Sequence, residues 1–355
     1  MSRADRVSER LRGRELDLLL VTDLVNVRYL TGFTGTNGLA VVGADTRRFL
    51  TDSRYVERAK AEVSGFDLQP APQELRTALA EGWPPGELRL GFEDQQVSVR
   101  RHAELRETLP DRIELVPAGG LVEEERAVKE PAEVAAIHAA AGLVDEIYAW
   151  VRERGLLGRT EREVALALEQ EMRVRGAQGP SFPSIVAAAE NGALPHAMPR
   201  DVAIPAGTLV TLDIGARMDG YCSDCTRAWA TGALPDDLAE LYDTVLRAQT
   251  AALDAVRPGL RGRDVDAIAR DLIGTAGHGE HFGHGLGHGV GLDIHEAPRL
   301  ARTAEGRLAA GNVVTVEPGI YVPGRGGARI EDLVVVTEGG RDVLSTAPKT
   351  LTVVG

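Results

Sequence analysis

Cysteine is nearly absent from this chain. Cys222 and Cys225 are the only two in 355 residues, so no disulfide framework carries the fold. Aromatic residues make up 4% of the sequence, and Trp83, Trp150 and Trp229 follow no pattern. Basic charge is in deficit. Forty Lys+Arg against 53 Asp+Glu leave a net charge of −13. That argues against nucleic acid or an anionic membrane as partner, because either needs a basic face. No apolar stretch reaches the ~20 residues of a bilayer span. The start, Met1-Ser2-Arg3-Ala4-Asp5-Arg6, leads into no apolar segment of the kind a secretory signal has. Low-complexity segments are missing as well. A reducing cytoplasm fits all of these absences. What is present, 43% apolar and 26% charged residues, is the balance of a soluble globular protein. The length suits two domains.

The first ~125 residues alternate between helix and strand signals, a three-layer α/β pattern. A charged helix covers residues 3–14. Asp17-Leu18-Leu19-Leu20-Val21-Thr22 reads as a buried strand, and residues 38–43 and 47–51 as a hairpin around Ala44-Asp45. Helices near 53–63, 73–81 and 98–109 separate strands at 88–92 and 113–116. The acidic stretch Glu123-Glu124-Glu125 begins the passage to a second domain, so the domains are placed at 1–126 and 127–355. Pro131 suits the first turn of the next helix, in which Val134, Ile137, Ala141, Val144, Ile147 and Val151 recur at helical spacing. Thr160-Glu161-Arg162-Glu163 is a capping box. Further helices follow at 235–256 and 263–273. Strands fall at 183–189, 207–214, 221–230, 312–318, 328–336 and 349–354. This order suggests two stacked halves, each of helices followed by strands.

Histidine is scarce but clustered. Five of the eight, His278, His281, His284, His288 and His295, lie between positions 278 and 295 among glycines. Imidazole is the commonest metal ligand and titrates near neutral pH. Four acids accompany apolar strands: Asp213, Asp224, Glu317 and Glu331. A carboxylate on a buried strand is costly unless it is paired or binds a metal. Four carboxylates would be balanced by two divalent cations. Oxygen-rich ligands with one imidazole, here His288, suit manganese, cobalt or zinc. Two such ions about 3.5–4 Å apart can share a water and bring its pKa towards neutrality. The plain alternative is that Asp213 and Glu317 cap turns, since a glycine follows each within two residues (Gly215 and Gly319). That suits one acid better than four with a histidine.

The blocks Thr211-Leu212-Asp213-Ile214-Gly215, Gly220-Tyr221-Cys222-Ser223-Asp224-Cys225-Thr226-Arg227, Phe282-Gly283-His284-Gly285-Leu286-Gly287-His288-Gly289, Leu292-Asp293-Ile294-His295-Glu296, Val316-Glu317-Pro318-Gly319-Ile320-Tyr321 and Arg329-Ile330-Glu331-Asp332 resemble those of the pita-bread metallopeptidases. Among these the Xaa-Pro peptidases, prolidase and aminopeptidase P, are most similar. Arg28-Tyr29-Leu30-Thr31-Gly32-Phe33-Thr34-Gly35 resembles the family's creatinase-like amino-terminal domain. The resemblance implies an α/β (α+β) chain in which a creatinase-like domain precedes a pita-bread catalytic domain. It implies metal ligands at Asp213, Asp224, His288, Glu317 and Glu331, with Asp224 and Glu331 bridging two ions. It also implies active-site roles for His196, His284 and His295, with Glu317 or Glu331 as proton carrier. Arg329 would hold the neighbouring bridging acid. Arg299 would approach substrate or form a simple salt bridge. The implied substrate is a small peptide with proline second, and the implied assembly is a homodimer. Ala328 stands where a larger aliphatic residue is common.

Several residues read more simply. Cys222 and Cys225 have CxxC spacing but fall in a strand with no second pair, so buried inert thiols are expected. His102 and His138 suit structural or solvated positions, and His278 and His281 suit a surface loop. The glycines of 283–291 do not form a dinucleotide fingerprint. Two other functions share the fold: a creatinase-like amidinohydrolase, which works without metal, and a non-catalytic peptide-binding protein. The intact five-ligand set weighs against both. A bond to proline has no N–H. Its hydrolysis therefore needs a pocket for the ring and a proton donor for the departing amine, for which imidazoles are suited. His196 and His295, with Phe182 as an apolar contact, are the expected walls of that pocket.

Overall fold

Ala4, Val7 and Leu11 recur at helical spacing, and in the computed structural model, which describes residues 1–355, they are the buried stripe of α1 (Arg3–Gly13). Ser2 caps this helix by accepting from the Asp5 N–H. The chain continues through β1 (Leu18–Val21), α2 (Leu24–Thr31), β2 (Gly38–Gly43), β3 (Arg47–Asp52), α3 (Val56–Glu62) and β4 (Asp67–Ala71). A 3₁₀ segment (Leu75–Ala80), β5 (Leu88–Phe92), α4 (Val99–Thr108), β6 (Ile113–Pro117) and α5 (Leu121–Arg126) complete the first of two units, Met1–Arg126. Its six strands run in the order β4-β3-β2-β1-β5-β6. Only β2 is antiparallel to its neighbours. Strand side chains alternate between faces, so Leu18, Leu20, Leu39, Val41, Leu88 and Leu90 share one face with Leu75, Leu79 and Leu105. Residues 75–80 form a 3₁₀ segment where the sequence suggests an α-helix. The short α2 is marked by its ends alone: Asp23 Oδ1 accepts from the Val25 and Asn26 N–H groups, and Gly32 closes it at φ 82°.

The second unit, Ala127–Gly355, opens with α6 (Pro131–Arg154) and α7 (Glu161–Val174). By length and composition α6 alone could cross a membrane, yet its stripe of Val144, Ile147, Tyr148 and Val151 is packed into the core. Thr160 and Glu163 form the capping box of α7. Strands β7 (Gly179–Pro180), β8 (Ile185–Ala188), β9 (Leu209–Ile214), β10 (Ala216–Met218), β11 (Tyr221–Cys222) and β12 (Cys225–Ala230) follow. Next come α8 (Asp236–Ala255) and α9 (Gly262–Thr275), then β13 (Gly287–Gly289), β14 (Glu296–Leu300), β15 (Val313–Val316), β16 (Gly319–Val322), β17 (Gly326–Arg329), β18 (Asp332–Thr337) and β19 (Gly340–Val343).

Each helix pair covers its own strands. Leu168 and Met172 of α7 meet Val186, Val210 and Leu212. Val245 of α8 and Ala269 of α9 meet Val314, Val316 and Val334. Two expected strands are interrupted, and the interruptions matter for the site. The stretch 221–230 breaks at Ser223-Asp224, and 328–336 breaks at Ile330-Glu331. The expected strand at 349–354 reduces to one bridge between Ala230 and Val353.

Candidate metal centre

Asp213 lies near the end of β9, flanked in register by Ile185 of β8 and Thr226 of β12. Asp224 and Glu331 occupy the two strand breaks, and Glu317 sits between β15 and β16. A break lets a carboxylate swing out of the ladder towards a common centre. Asp213, Asp224 and Glu331 each bring an oxygen to within 4.8 Å of the others. All three are buried. His288 arrives on β13, between Gly287 and Gly289. A Cβ on either glycine would collide with a backbone carbonyl, of Thr315 and of Ala297 respectively. Gly287→Ala should therefore lower unfolding stability by about 3 kcal/mol through overpacking, read from the denaturant midpoint. An unchanged midpoint would mean that β13 has room to spare against β15.

Hydrogen bonds aim these groups. The His288 Nδ1 faces the Gly289 carbonyl at 3.0 Å. A carbonyl only accepts, so Nδ1 carries a proton, and Nε2 faces the carboxylates, donating when it too is protonated and offering its lone pair to a metal when it is not. That Nε2 lies 3.2 Å from Glu317 Oε1 and 3.6 Å from Asp224 Oδ2. Thr315 Oγ1 donates to Glu317 Oε1 at 3.0 Å. Thr226 Oγ1 donates to Glu331 Oε2 at 2.6 Å and accepts from Arg329 Nε. Arg329 also donates to Asp213 Oδ2, the Tyr321 hydroxyl and the Pro195 carbonyl. The Tyr321 hydroxyl in turn meets His284 Nε2 at 2.9 Å, while His284 Nδ1 faces the Gly285 carbonyl. Tyr321, Thr226 and Thr315 received no role from the sequence. The only signal for Tyr321 is strand alternation, which puts it on the side of Glu317 and Gly319.

The charges do not balance by themselves. Burial, then the neighbouring Glu331, Asp213 and Glu317, push the Asp224 carboxyl well above its ordinary range. Burial, then Glu317 and Asp213, do the same to Glu331. For Glu317 burial is the largest single influence and acts upward, but the hydrogen bond and charge of a protonated His288, with the charges of His284 and Arg329, together outweigh it and hold the group at about 2. Asp213 Oδ1 and Glu331 Oε1 are buried without a hydrogen-bond partner. Such oxygens are costly in a protein interior. A divalent cation would satisfy them and relieve the repulsion, so this donor set fits a metal.

A cavity of about 310 Å³ opens over these groups, with His196, His284 and His295 on its walls beside Phe182, Ile185 and Ile294. The His295 ring stands T-shaped to that of His288, centroids 4.4 Å apart. Burial, and then His288, lower the pKa of His295, and burial lowers that of His284. His196 and His295 are exposed at the rim. Arg299 is exposed on β14 and does not line the cavity. His278 and His281 lie apart at a 3₁₀ turn, their Nδ1 atoms 3.1 Å from each other. Cys222 and Cys225 are buried free thiols, and burial raises both pKa values.

Comparison with known proteins adds a second kind of observation. The profile of metallopeptidase family M24 matches residues 133–338, and that of the creatinase/prolidase N-terminal domain matches residues 3–128. An uncharacterized peptidase of Bacillus subtilis is 42% identical over 337 residues, 95% of each chain. The structure of an Xaa-Pro dipeptidase from Bacillus anthracis superposes with a TM-score of 0.94 at 37% identity, over 99% of each chain. An X-Pro aminopeptidase from Thermotoga maritima gives 0.88 at 32% identity, covering 98% of this chain and 99% of its own.

Proposed function

The chain belongs to metallopeptidase family M24, and we propose that it is a metal-dependent hydrolase of the peptide bond between an amino-terminal residue and a following proline. One observation carries the reading. Three buried carboxylates converge, two with orphaned oxygens, beneath a cavity walled by three imidazoles. Asp213, Asp224, His288, Glu317 and Glu331 would hold two divalent ions, drawn from manganese, cobalt and zinc. When bound, such ions supply Lewis acidity and an ionised solvent nucleophile.

The chain's own residues supply the rest. Glu317, a carboxylate oriented by Thr315, accepts a proton from the solvent nucleophile. His295 and His196 stand at the rim, where the departing prolyl nitrogen needs a proton. His284, held through Tyr321 and Arg329, steadies the substrate carbonyl. Phe182, Ile185 and Ile294 give the pyrrolidine ring an apolar wall. Residence in the cytoplasm and assembly as a homodimer belong to the same proposal.

Removal of metal by a chelator, followed by readdition of manganese, cobalt or zinc, tests it. Cleavage of Xaa-Pro dipeptides and Xaa-Pro-Yaa tripeptides should disappear on stripping and return with the ion. Undiminished cleavage in stripped protein would remove the metal from the mechanism. Absence of Xaa-Pro cleavage in fully loaded protein would remove the substrate. The ratio of dipeptide to tripeptide turnover distinguishes a dipeptidase from an aminopeptidase.

A further inference from the structure

Lys129 is a buried cation outside the catalytic constellation. Its side chain is 1% exposed, and its Nζ donates at 2.9 Å to Glu296 Oε2, on a side chain 6% exposed. The other carboxylate oxygen, Oε1, accepts from the Asp293 N–H at 3.0 Å. Asp293 and Glu296 bracket His295. One carboxylate therefore grips both sides of the turn that presents this imidazole, and Lys129 grips the carboxylate. Lys129 is itself fixed at the start of the second unit, where its N–H donates to the Gly311 carbonyl at 2.8 Å.

The Val290 N–H donates to the Val313 carbonyl, and Cys222 Sγ donates to the Leu292 carbonyl at 3.7 Å. Residues 290–295 lie in neither helix nor strand. The Gly291 carbonyl accepts from the Cys222 N–H, and the Gly291 N–H donates to the Asp293 carbonyl. A Cβ at Gly291 would stand 2.6 Å from both Glu296 oxygens, so the glycine makes room for the clamp. Burying an ammonium and a carboxylate together is weak as a source of stability, because desolvation offsets their attraction. What such a pair does supply is a fixed geometry.

We propose that Lys129 is a positioning residue for catalysis, acting through Glu296 to hold the Asp293–Glu296 turn and hence the His295 ring. The inference rests on the role assigned above to His295. Misplacing a reacting group by about 1 Å can cost roughly 100-fold in rate. Lys129→Met should accordingly lower kcat by about 30- to 100-fold, with KM and metal content little changed. Lys129→Arg, which keeps the charge, should recover most of the loss. In metal-free protein the His295 imidazole NMR signal should broaden in Lys129→Met and stay sharp in Lys129→Arg.

The paired variant Lys129→Met/Glu296→Gln leaves no unpaired buried charge. Its melting temperature should return towards wild type while kcat stays low. It also keeps the test open if the single variant folds poorly. Return of kcat together with stability would make the pair structural only and overturn the proposal. So would loss of metal in step with kcat. A double-mutant cycle separates this inference from the reading beneath it. In a His295→Ala background, Lys129→Met should cost less than about twofold. Additive losses would overturn the role of Lys129 alone. Full activity of His295→Ala would overturn the role of His295 and this inference with it.

Discussion

Asp224→Asn should lower kcat/KM by about a thousandfold or more and reduce bound metal, yet stabilise the metal-free protein. The two effects have opposite sign for one reason. Asp224 is buried among Asp213, Glu317 and Glu331, which with burial push its carboxyl well above the ordinary value of 3.8. With a cation present its charge is an asset, and without one it repels its neighbours. Between 3.8 and the raised folded value, the folded chain holds more protons than the unfolded chain. The group's contribution to stability is therefore present at low pH and is lost as pH rises through that window. The amide has no such term and nearly the same shape. The variant's advantage in chelator should widen from pH 4 to pH 7. Melting curves in chelator across this range, with metal analysis and peptide cleavage, decide the matter. A metal-free variant less stable than wild type at pH 7 would show that protein contacts satisfy Asp224 and that its crowding by the other three carboxylates costs nothing.

Arg227→Met should have the largest effect on folding. Arg227 is among the largest fully buried side chains in the protein. It donates to the carbonyls of Ala347, Thr226 and Glu331 and to Asp332 Oδ1. Asp332 Oδ2 is gripped in turn by Gln249 and Lys349. Methionine fills the space but leaves several buried carbonyls unpaired and takes from the Asp332 carboxylate one of its two cations, the other being Lys349. Breaking one partner of such a pair costs about 3–5 kcal/mol, so much of the protein should be unfolded or insoluble at 37 °C. Replacing Asp332 in the same chain by an apolar residue should recover part of the loss, because the buried Oδ1 that loses its donor is then gone. Equal stability of Arg227→Met and wild type in urea would refute the network. The expectation also bears on the site, since Arg227 holds the backbone of Glu331 while Thr226 holds its side chain.

Much of this was legible in the sequence. The alternation of helix and strand signals in the first 125 residues and the resemblance of the ligand blocks both pointed to the fold that the comparisons support. Helix ends were readable where a cap residue acts locally, as at Pro131 and at Thr160 with Glu163. Residues with distant partners were not. Nothing in Cys225-Thr226-Arg227 says that Thr226 meets Glu331 or that the guanidinium of Arg227 is buried. Tyr321 lies in one of the ligand blocks without a legible role, because its partners His284 and Arg329 are supplied by other segments of the chain. The interruptions between β11 and β12 and between β17 and β18 were not legible, since the polar pairs Ser223-Asp224 and Glu331-Asp332 are short and apolar runs flank them.

Taken alone, the sequence determined which residue types were available: a run of glycines dense enough for close approach, a histidine cluster, four acids beside apolar runs, and a net charge of −13. These are local properties, set by side-chain chemistry and short-range spacing. The tertiary structure alone decided which oxygens converge, which carboxylate oxygens are left without a partner, and that Lys129 reaches Glu296 across 167 positions. Each of these depends on chain segments far apart in sequence that meet only when the core is packed. The free energy of a buried charge is set by those neighbours and not by the residues beside it in the chain.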